Sequence, residues 1–235
     1  MGDINVYSEQ DNYLNFQNLR PDYVNAIDKS IEFATNYISS SLKITLADFC
    51  CGTGNNTKLV AEKLRGIKKA ILIDINEGFL KIAKDSKIET NQIEIVNTDI
   101  LKARFDANCD LVLSIFAYHH VPDKDKSKYL SQVKKALKKG GILILTEIYF
   151  DNPQECLKYY RKLYESINKE KLIPGLKDFL EQTANSQDFE FKVSKKFADE
   201  QFLKEGFKKL AEKQIYPTDN SFGKGQGTFV QVYKF

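Results

Sequence analysis

Two carboxylates and a glycine turn stand at distances that suit the binding of a nucleoside. The segment Asp48-Phe-Cys-Cys-Gly52-Thr-Gly54-Asn-Asn-Thr57 follows the apolar run Ile44-Thr-Leu-Ala and leads into a helix-forming stretch. Gly52 and Gly54 carry no Cβ, so the backbone there can take turn conformations closed to other residues and a ligand can approach the main chain. Asp74 closes the apolar run Ala70-Ile-Leu-Ile, 20 residues beyond Gly54. A carboxylate at a strand end at that distance can accept hydrogen bonds from both hydroxyls of a ribose. A glycine turn alone is weaker testimony, because dinucleotide enzymes and ligand-free surface turns use it too.

A second set of residues could move a proton. The chain has two histidines, His119 and His120, and both lie in the loop that follows Asp110-Leu-Val-Leu-Ser-Ile-Phe-Ala-Tyr118. An imidazole near its ordinary pKa is the usual general base. On an extended segment neighbouring side chains point opposite ways, so one imidazole at most faces a substrate while the other buttresses the loop. Structuring the loop is the simpler role for both. Tyr118, Glu147 and Tyr149 stand at strand ends and are weaker catalytic candidates.

Two further segments complete a series. Asp99-Ile100 follows the strand-like Ile93-Glu-Ile-Val96, and Ala136-Leu-Lys-Lys-Gly-Gly-Ile-Leu-Ile-Leu-Thr-Glu147 reads as a helix end, a double-glycine turn and a buried strand. Together these stretches resemble the Rossmann-like class I S-adenosylmethionine-dependent methyltransferases, in the branch that modifies small molecules. The resemblance spans residues 44 to 150. The family's first motif is acid-x-Gly-x-Gly-x-Gly, which Asp48, Gly52 and Gly54 match, with Cys50 in place of the first glycine.

The resemblance implies roles for named residues. Asp74, with Ile75 beside it, would hold the ribose, Asp99 the adenine amino group and the Ile100 backbone the adenine edge. Ser114 and Ile115 would line the cofactor from the fourth strand. Leu19-Arg20-Pro21-Asp-Tyr23 looks like the Arg-Pro-x-Tyr segment that caps the cofactor in many such enzymes. Arg20 would then pair with the methionine carboxylate, although Pro21 at a first helical turn explains the same residues without a ligand. The transferable methyl would lie beside the loop after the fourth strand, where His119 is favoured over His120 as a base.

The implied reaction moves a methyl group from S-adenosylmethionine to oxygen or nitrogen of a small acceptor, leaving S-adenosylhomocysteine. A sulfonium is already a strong electrophile, so the protein mainly aligns the acceptor and excludes water. Two other readings stay open: a protein of this fold that binds the cofactor without methyl transfer, as a partner subunit, cyclase or isomerase, and a nicotinamide oxidoreductase. Thr57 where the third glycine of a dinucleotide motif should stand counts against the last. The sequence offers no metal-ligand pattern.

Composition sets the outer bounds. A chain of 235 residues with 42% hydrophobic content can bury one large core. Its net charge of +3 requires no acidic partner. Lys134, Lys135, Lys138 and Lys139 make the densest basic cluster, expected as the solvated face of a helix whose other face is Tyr129, Leu130, Val133 and Leu137. Enzymes that act on flipped bases commonly carry an Asn or Asp-Pro-Pro-aromatic motif after the fourth strand, whereas Ser114-Ile-Phe-Ala-Tyr118 stands here, so nucleic acid is not the expected substrate. No run suits a membrane span or a signal peptide, and the four cysteines lack metal-ligand spacing, so a cytoplasmic enzyme is expected. The sequence is silent on oligomeric state.

Positioning these residues requires a three-layer α/β/α sandwich. A helix in 22–38 is expected, then strands near 44–49, 70–74, 93–96, 110–115 and 142–148, with helices between them. A helix at 199–205 and strands in 207–215 and 228–235 follow. The alternation gives a mostly parallel sheet, and the ending looks like the antiparallel C-terminal strand pair that closes the seven-stranded sheet of the resembling family. The expected organisation is a single domain over 1–235: an N-terminal helical cap (1–40), the cofactor-binding core (41–150), a helical lid insertion (151–190), and a C-terminal helix and strand pair (191–235). Tyr159, Tyr160, Leu163, Tyr164 and Ile167 recur at helical spacing within the insertion. Most are expected to pack on the sheet, and one or two facing a pocket would suit an aromatic or apolar acceptor.

Overall fold

The computed structural model describes residues 10–39, 43–106, 108–172, 174–185, 190–219 and 221–235. Residues 1–9 and 40 of the expected cap, and residues 173 and 186–189 of the expected lid, lie outside the described residues. Two helices open the described chain, α1 (Gln10–Leu19) and α2 (Pro21–Tyr37). Pro21 takes the first helical position of α2, where its missing N–H costs nothing. There follow β1 (Ile44–Phe49), α3 (Asn55–Leu64), β2 (Ile67–Asp74), α4 (Glu77–Asp85), β3 (Gln92–Asn97), β4 (Cys109–Ile115), α5 (Lys126–Ala136) and β5 (Leu137–Tyr149). The chain then adds α6 (Pro153–Ser166), α7 (Leu176–Asn185), α8 (Lys195–Lys204), β6 (Lys208–Tyr216) and β7 (Gly227–Lys234).

The seven strands form one sheet in the order β3-β2-β1-β4-β5-β7-β6. β1 pairs in parallel with β2 and β4, β2 with β3, and β4 with β5, while β7 runs antiparallel to both β5 and β6. The central strands are apolar on both sides because both faces are covered. On one face α2, α3 and α4 bury Ala26, Val60 and Ala83 against Leu46, Leu72 and Leu113. On the other, α5 and α8 bury Leu130, Val133 and Phe202 against Ala47, Val112 and Leu145. The result is a Rossmann-like α/β/α sandwich, closed by the reversed final strand that the sequence led us to expect.

Strand polarity decides where a ligand can go. The parallel strands change direction of winding at β1 and β4, so their C-terminal ends open onto the crevice in which folds of this kind bind ligands. A third cluster covers that end: α6 and α7 pack Tyr159, Tyr160, Leu163 and Phe179 against Phe16, Ile148 and Phe150. The tyrosines at helical spacing thus pack as the periodicity predicts, with Tyr159 and Tyr160 buried.

One boundary differs from expectation. α5 stops at Ala136, and β5 begins at once, with Leu137 already paired to Cys109. Lys138 and Lys139 are therefore exposed on the first turn of a strand, not on the helix face with Lys134 and Lys135. The irregularity between Cys109 and Leu111 and the left-handed Gly140 (φ +83°) absorb the mismatch. A local bulge lets a strand extend through residues that read as a turn.

Candidate functional site

The end of β1 turns sharply through Cys50 (φ +58°), Gly52 (φ +53°) and Gly54 (φ +73°). Gly54 is the residue just before α3, and a Cβ there would sit 3.1 Å from the Cβ of Ala83 and 3.4 Å from its Cα. Only glycine lets the turn lie this close to α4. Cys50 holds a left-handed conformation without being glycine, a strain of about 1 kcal/mol. The substitution that the motif reading noted thus keeps the turn and stores strain in it.

Side chains then brace the turn. Asp48 is buried, and its Oδ2 accepts a 2.6 Å hydrogen bond from Thr57 Oγ1 in the first turn of α3. Burial pushes the Asp48 carboxyl up to about 7. Asp74 Oδ2 accepts from Gly52 N at 2.8 Å, and its Oδ1 from Asn76 N at 2.8 Å. The Ile75 N–H also donates to this carboxylate, which still leaves lone-pair capacity for a ligand hydroxyl. Burial raises the Asp74 carboxyl from its ordinary value, against the pull of those N–H donors. Asn76 caps α4 by accepting from Gly78 N and Phe79 N, and Asn97 Nδ2 donates to the carbonyls of Asp74 and Ile75.

The remaining cofactor candidates lie along the same edge. Ile75 is 74% exposed, beside Asp74. Asp99 follows β3 and its Oδ1 accepts from Leu101 N, while Ile100 is buried and its carbonyl takes Gln132 Nε2. Ile115 is buried at the end of β4 on the side of α2. Ser114, one residue earlier, points to the opposite face, where its hydroxyl meets Tyr129 OH at 2.7 Å. The alternation of a strand sends these two side chains to opposite faces of the sheet.

Around the end of β4 and β5 a second group gathers. Residues 118–120 form a single turn of 3₁₀ helix, not an extended segment. The two imidazoles consequently share one side, with ring centroids 4.2 Å apart. Both line a small pocket of about 20 Å³ with Arg20, Phe116, Tyr160, Phe179 and Glu190. The expectation that the histidines would diverge fails because it assumed an extended backbone.

His119 is held from behind. Its Nδ1 lies 2.5 Å from Glu147 Oε1, and its backbone N–H donates to Glu147 Oε2 at 3.0 Å. Glu147 Oε1 also accepts from Ile148 N at 2.7 Å. The two backbone N–H donors on Glu147 favour its carboxylate form, which assigns the hydrogen to Nδ1 and leaves the lone pair on Nε2. Burial, with Lys192, Lys126 and Arg20 nearby, holds His119 well below its ordinary pKa, and burial pushes Glu147 up to about 7. In both cases desolvation disfavours the charged form, so the imidazole stands neutral and holds a proton less readily than a free one.

Tyr118 and Tyr149 go elsewhere. Tyr118 is fully buried against Tyr129 and Phe202, with its hydroxyl donating to Gln201 Oε1 at 2.5 Å. Tyr149 donates to Gln231 Oε1 in the same core. Both lie on the α5/α8 side of the sheet, away from the pocket, and burial raises both phenols. Neither can serve as the base that their place at a strand end suggested.

Arg20 is in the pocket wall but its guanidinium already has partners. Nε and Nη2 donate to the two oxygens of Asp22 at 3.1 and 2.8 Å, and Nη1 donates to Gln17 Oε1. It lies 5.7 Å from the ring centres of both Phe116 and Tyr160. Asp22 Oδ2 also accepts from Tyr159 OH at 2.8 Å, and more weakly from Thr228 Oγ1 at 3.3 Å. The pairing with a methionine carboxylate that the motif suggests is thus taken by a carboxylate of the protein itself.

No local sequence pattern marks Asp22, Phe116, Phe179, Glu190 or Lys192 as part of this site. Lys192 pairs with Glu190 and donates to the Thr183 carbonyl, and burial brings its ammonium down to about 8. Lys126 is wholly buried and donates to the carbonyls of Tyr118, Val121 and Phe191. With Phe191 N donating to His119 O at 2.6 Å, it fastens the histidine turn to the segment that follows α7. Only the Arg20-x-Asp22 spacing could have signalled any of this.

Known proteins fit the same picture. A methyltransferase domain profile matches residues 46–141. A demethylmenaquinone methyltransferase from Oceanobacillus iheyensis is 27% identical over 177 residues, covering 72% of this chain and 71% of that protein. Other curated demethylmenaquinone methyltransferases match over less, the chain spanning 46% of the length of one from Staphylococcus epidermidis. Among solved structures, a Burkholderia thailandensis 1,6-didemethyltoxoflavin-N1-methyltransferase with bound S-adenosylhomocysteine superposes with a TM-score of 0.58 at 13% identity, over 88% of this chain and 77% of that one. A magnesium protoporphyrin IX methyltransferase from Synechocystis PCC 6803, also with bound S-adenosylhomocysteine, gives 0.60 at 14% identity, over 91% and 84%. At such identities the structures speak for the fold, and the domain profile and the demethylmenaquinone relatives for the activity. The methyltransferase domain profile over residues 46–141 and the curated relatives support a class I S-adenosylmethionine-dependent methyltransferase, an enzyme with S-adenosylmethionine as its methyl donor.

Proposed function

We propose that the enzyme methylates oxygen or nitrogen of a small, flat acceptor, and that a hydroxyl on an aromatic ring is the group best suited to it. The observation that carries this reading is the neutral His119 held by Glu147 in a pocket walled by Phe116, Tyr160 and Phe179. The pocket of about 20 Å³ has to open before a ring can enter; its aromatic walls then favour a planar, apolar body, and the imidazole nitrogen an acceptor that must shed a proton. As the acceptor oxygen forms its bond to the methyl carbon, the S–CH3 bond breaks and its electron pair returns to sulfur. The hydroxyl proton passes to His119 Nε2, and the resulting imidazolium rests against the Glu147 carboxylate. Glu147 is then a positioning residue and His119 the catalytic one.

The cofactor side follows from the same reading. Asp74 takes the ribose hydroxyls on its remaining lone pairs, Asp99 and the Ile100 backbone the adenine, and the Cys50–Gly54 turn the methionine end. Residues 41–150 serve the cofactor within one domain, and the helices of 1–40 and 151–190 close over the acceptor. Four unbridged cysteines fit a reducing cytoplasm. Among the described residues no helix is long and apolar enough to cross a membrane.

A second outcome of the same chemistry has support in the Oceanobacillus relative's name. A phenolate made at His119 spreads its charge to the ring, so a demethylated quinol could take the methyl at carbon. Incubation with methyl-labelled S-adenosylmethionine and a panel of flat phenols, demethylated naphthoquinols and aromatic amines tests both, with the labelled atom assigned by mass spectrometry and NMR. We expect a hydroxylated ring to be methylated, and His119→Asn to lower kcat by about 10²–10⁴-fold while leaving cofactor affinity unchanged. Wild-type turnover in that variant would remove the base from the mechanism.

A further inference from the structure

The pocket residues have a second capacity. Ligand atoms of His119, His120 and Glu190 all lie within 4.8 Å of one another. Two imidazoles and one carboxylate are the donor set that zinc and its neighbours in the first transition row accept. With bonds of about 2.0 Å, three such donors in a tetrahedral set stand about 3.3 Å apart, so side-chain rotations of about an ångström close them on a cation. The pocket of about 20 Å³ between them matches one ion or one water.

The surroundings are those of a metal ligand as well as of a base. A metal-bound histidine usually gives its other ring nitrogen to a carboxylate, which fixes its tautomer and orientation. His119 does so through Nδ1 to Glu147, leaving Nε2 as its ligand atom. Glu190 is brought to the pair by the Phe191 N–His119 O bond one residue away and by the Lys126 bond to the Phe191 carbonyl. Lys192, already paired with Glu190, occupies part of the place a cation would take.

We infer that His119, His120 and Glu190 form a binding site for a divalent transition-metal ion of the zinc type, with Glu147 orienting His119 through its Nδ1. His119 Nε2 cannot hold a metal and accept a proton together. Metal occupancy therefore inhibits methyl transfer, competing with the acceptor and not with S-adenosylmethionine. The binding claim stands without the proposed acceptor, because it is read on the enzyme alone.

Zinc(II) titrated by calorimetry into the enzyme, with neither substrate present, tests it. We expect one equivalent to bind, His120→Asn and Glu190→Gln each to weaken it at least tenfold, and Lys192→Met to tighten it by removing the competing ammonium. Circular dichroism and an unchanged affinity for S-adenosylhomocysteine would show that the variants are folded. No zinc bound at about 100 µM, or binding that both weakening variants leave intact because cysteines or surface carboxylates hold the ion, would overturn the site. Where an acceptor is known, inhibition competitive with it supports the exclusion and inhibition competitive with the methyl donor overturns it.

Discussion

Around the glycine turn the partners are neighbours: Asp48 reaches Thr57, Asn76 caps its own helix, and Asp74 crosses a single strand pairing to Gly52. Around His119 they come from everywhere, with Arg20 and Asp22 from α2's start, Glu147 from β5, Tyr159 from α6, Phe191 from beyond α7 and Thr228 from β7. The first region is a strand-turn-helix unit repeated along a sheet edge. The second is a knot of buried charge. Short-range units tolerate losing one contact because backbone hydrogen bonds still define them. A buried charge network does not, since removing one member strands another in a low dielectric.

The largest break should come at Asp22. Replacing it with Asn leaves the Arg20 guanidinium buried without a carboxylate, and a loss of about 3–5 kcal/mol in urea unfolding is expected. Near-wild-type stability would mean that the acceptor side is not held together as described. Asp74→Ala attacks the other region and should show the reverse pattern. Affinity for S-adenosylmethionine should fall by about 2–4 kcal/mol in calorimetry through lost charge-assisted bonds, with global stability less affected. Should binding persist at full strength, the ribose assignment fails.

A pH measurement sharpens the comparison within the cofactor side. The Asp48 carboxyl is pushed up to about 7 by burial, from an unfolded value near 4, so between these pH values the folded state binds the extra proton. Its contribution is complete below the unfolded pKa and is lost as pH rises through the folded one. Denaturation of wild type at pH 5, 6 and 7 should therefore show a decline, of about 1 kcal/mol per pH unit from this group, that Asp48→Asn lacks. Parallel curves for the two proteins would put the pH dependence elsewhere.

The contrast also explains what the sequence could say. The strand ends, the turn and the helix after it are written within consecutive residues, in apolar runs of fixed period and in glycines that the backbone requires. So the sheet, its reversed last strand and the methyl donor were legible. Near His119 the deciding facts were long-range. Nothing around Arg20 tells that Tyr159 and Thr228 share its carboxylate, and no spacing places Glu190 beside two histidines 70 residues away. Tyr118 misled because a residue at a strand end can turn to either face, and the 3₁₀ turn sent it into the core while bringing both imidazoles round together.

The Asp22 hub bears on how the enzyme comes into being. A chain leaving the ribosome completes β1 to β4, and with them the glycine turn and both of its aspartates, by residue 115. Asp22 acquires its last partner only when Thr228 has been made. Between those points the nascent protein carries the elements of a cofactor crevice with no finished chamber above it. Synthesis itself thus sets the order in which the two halves of the active site become usable.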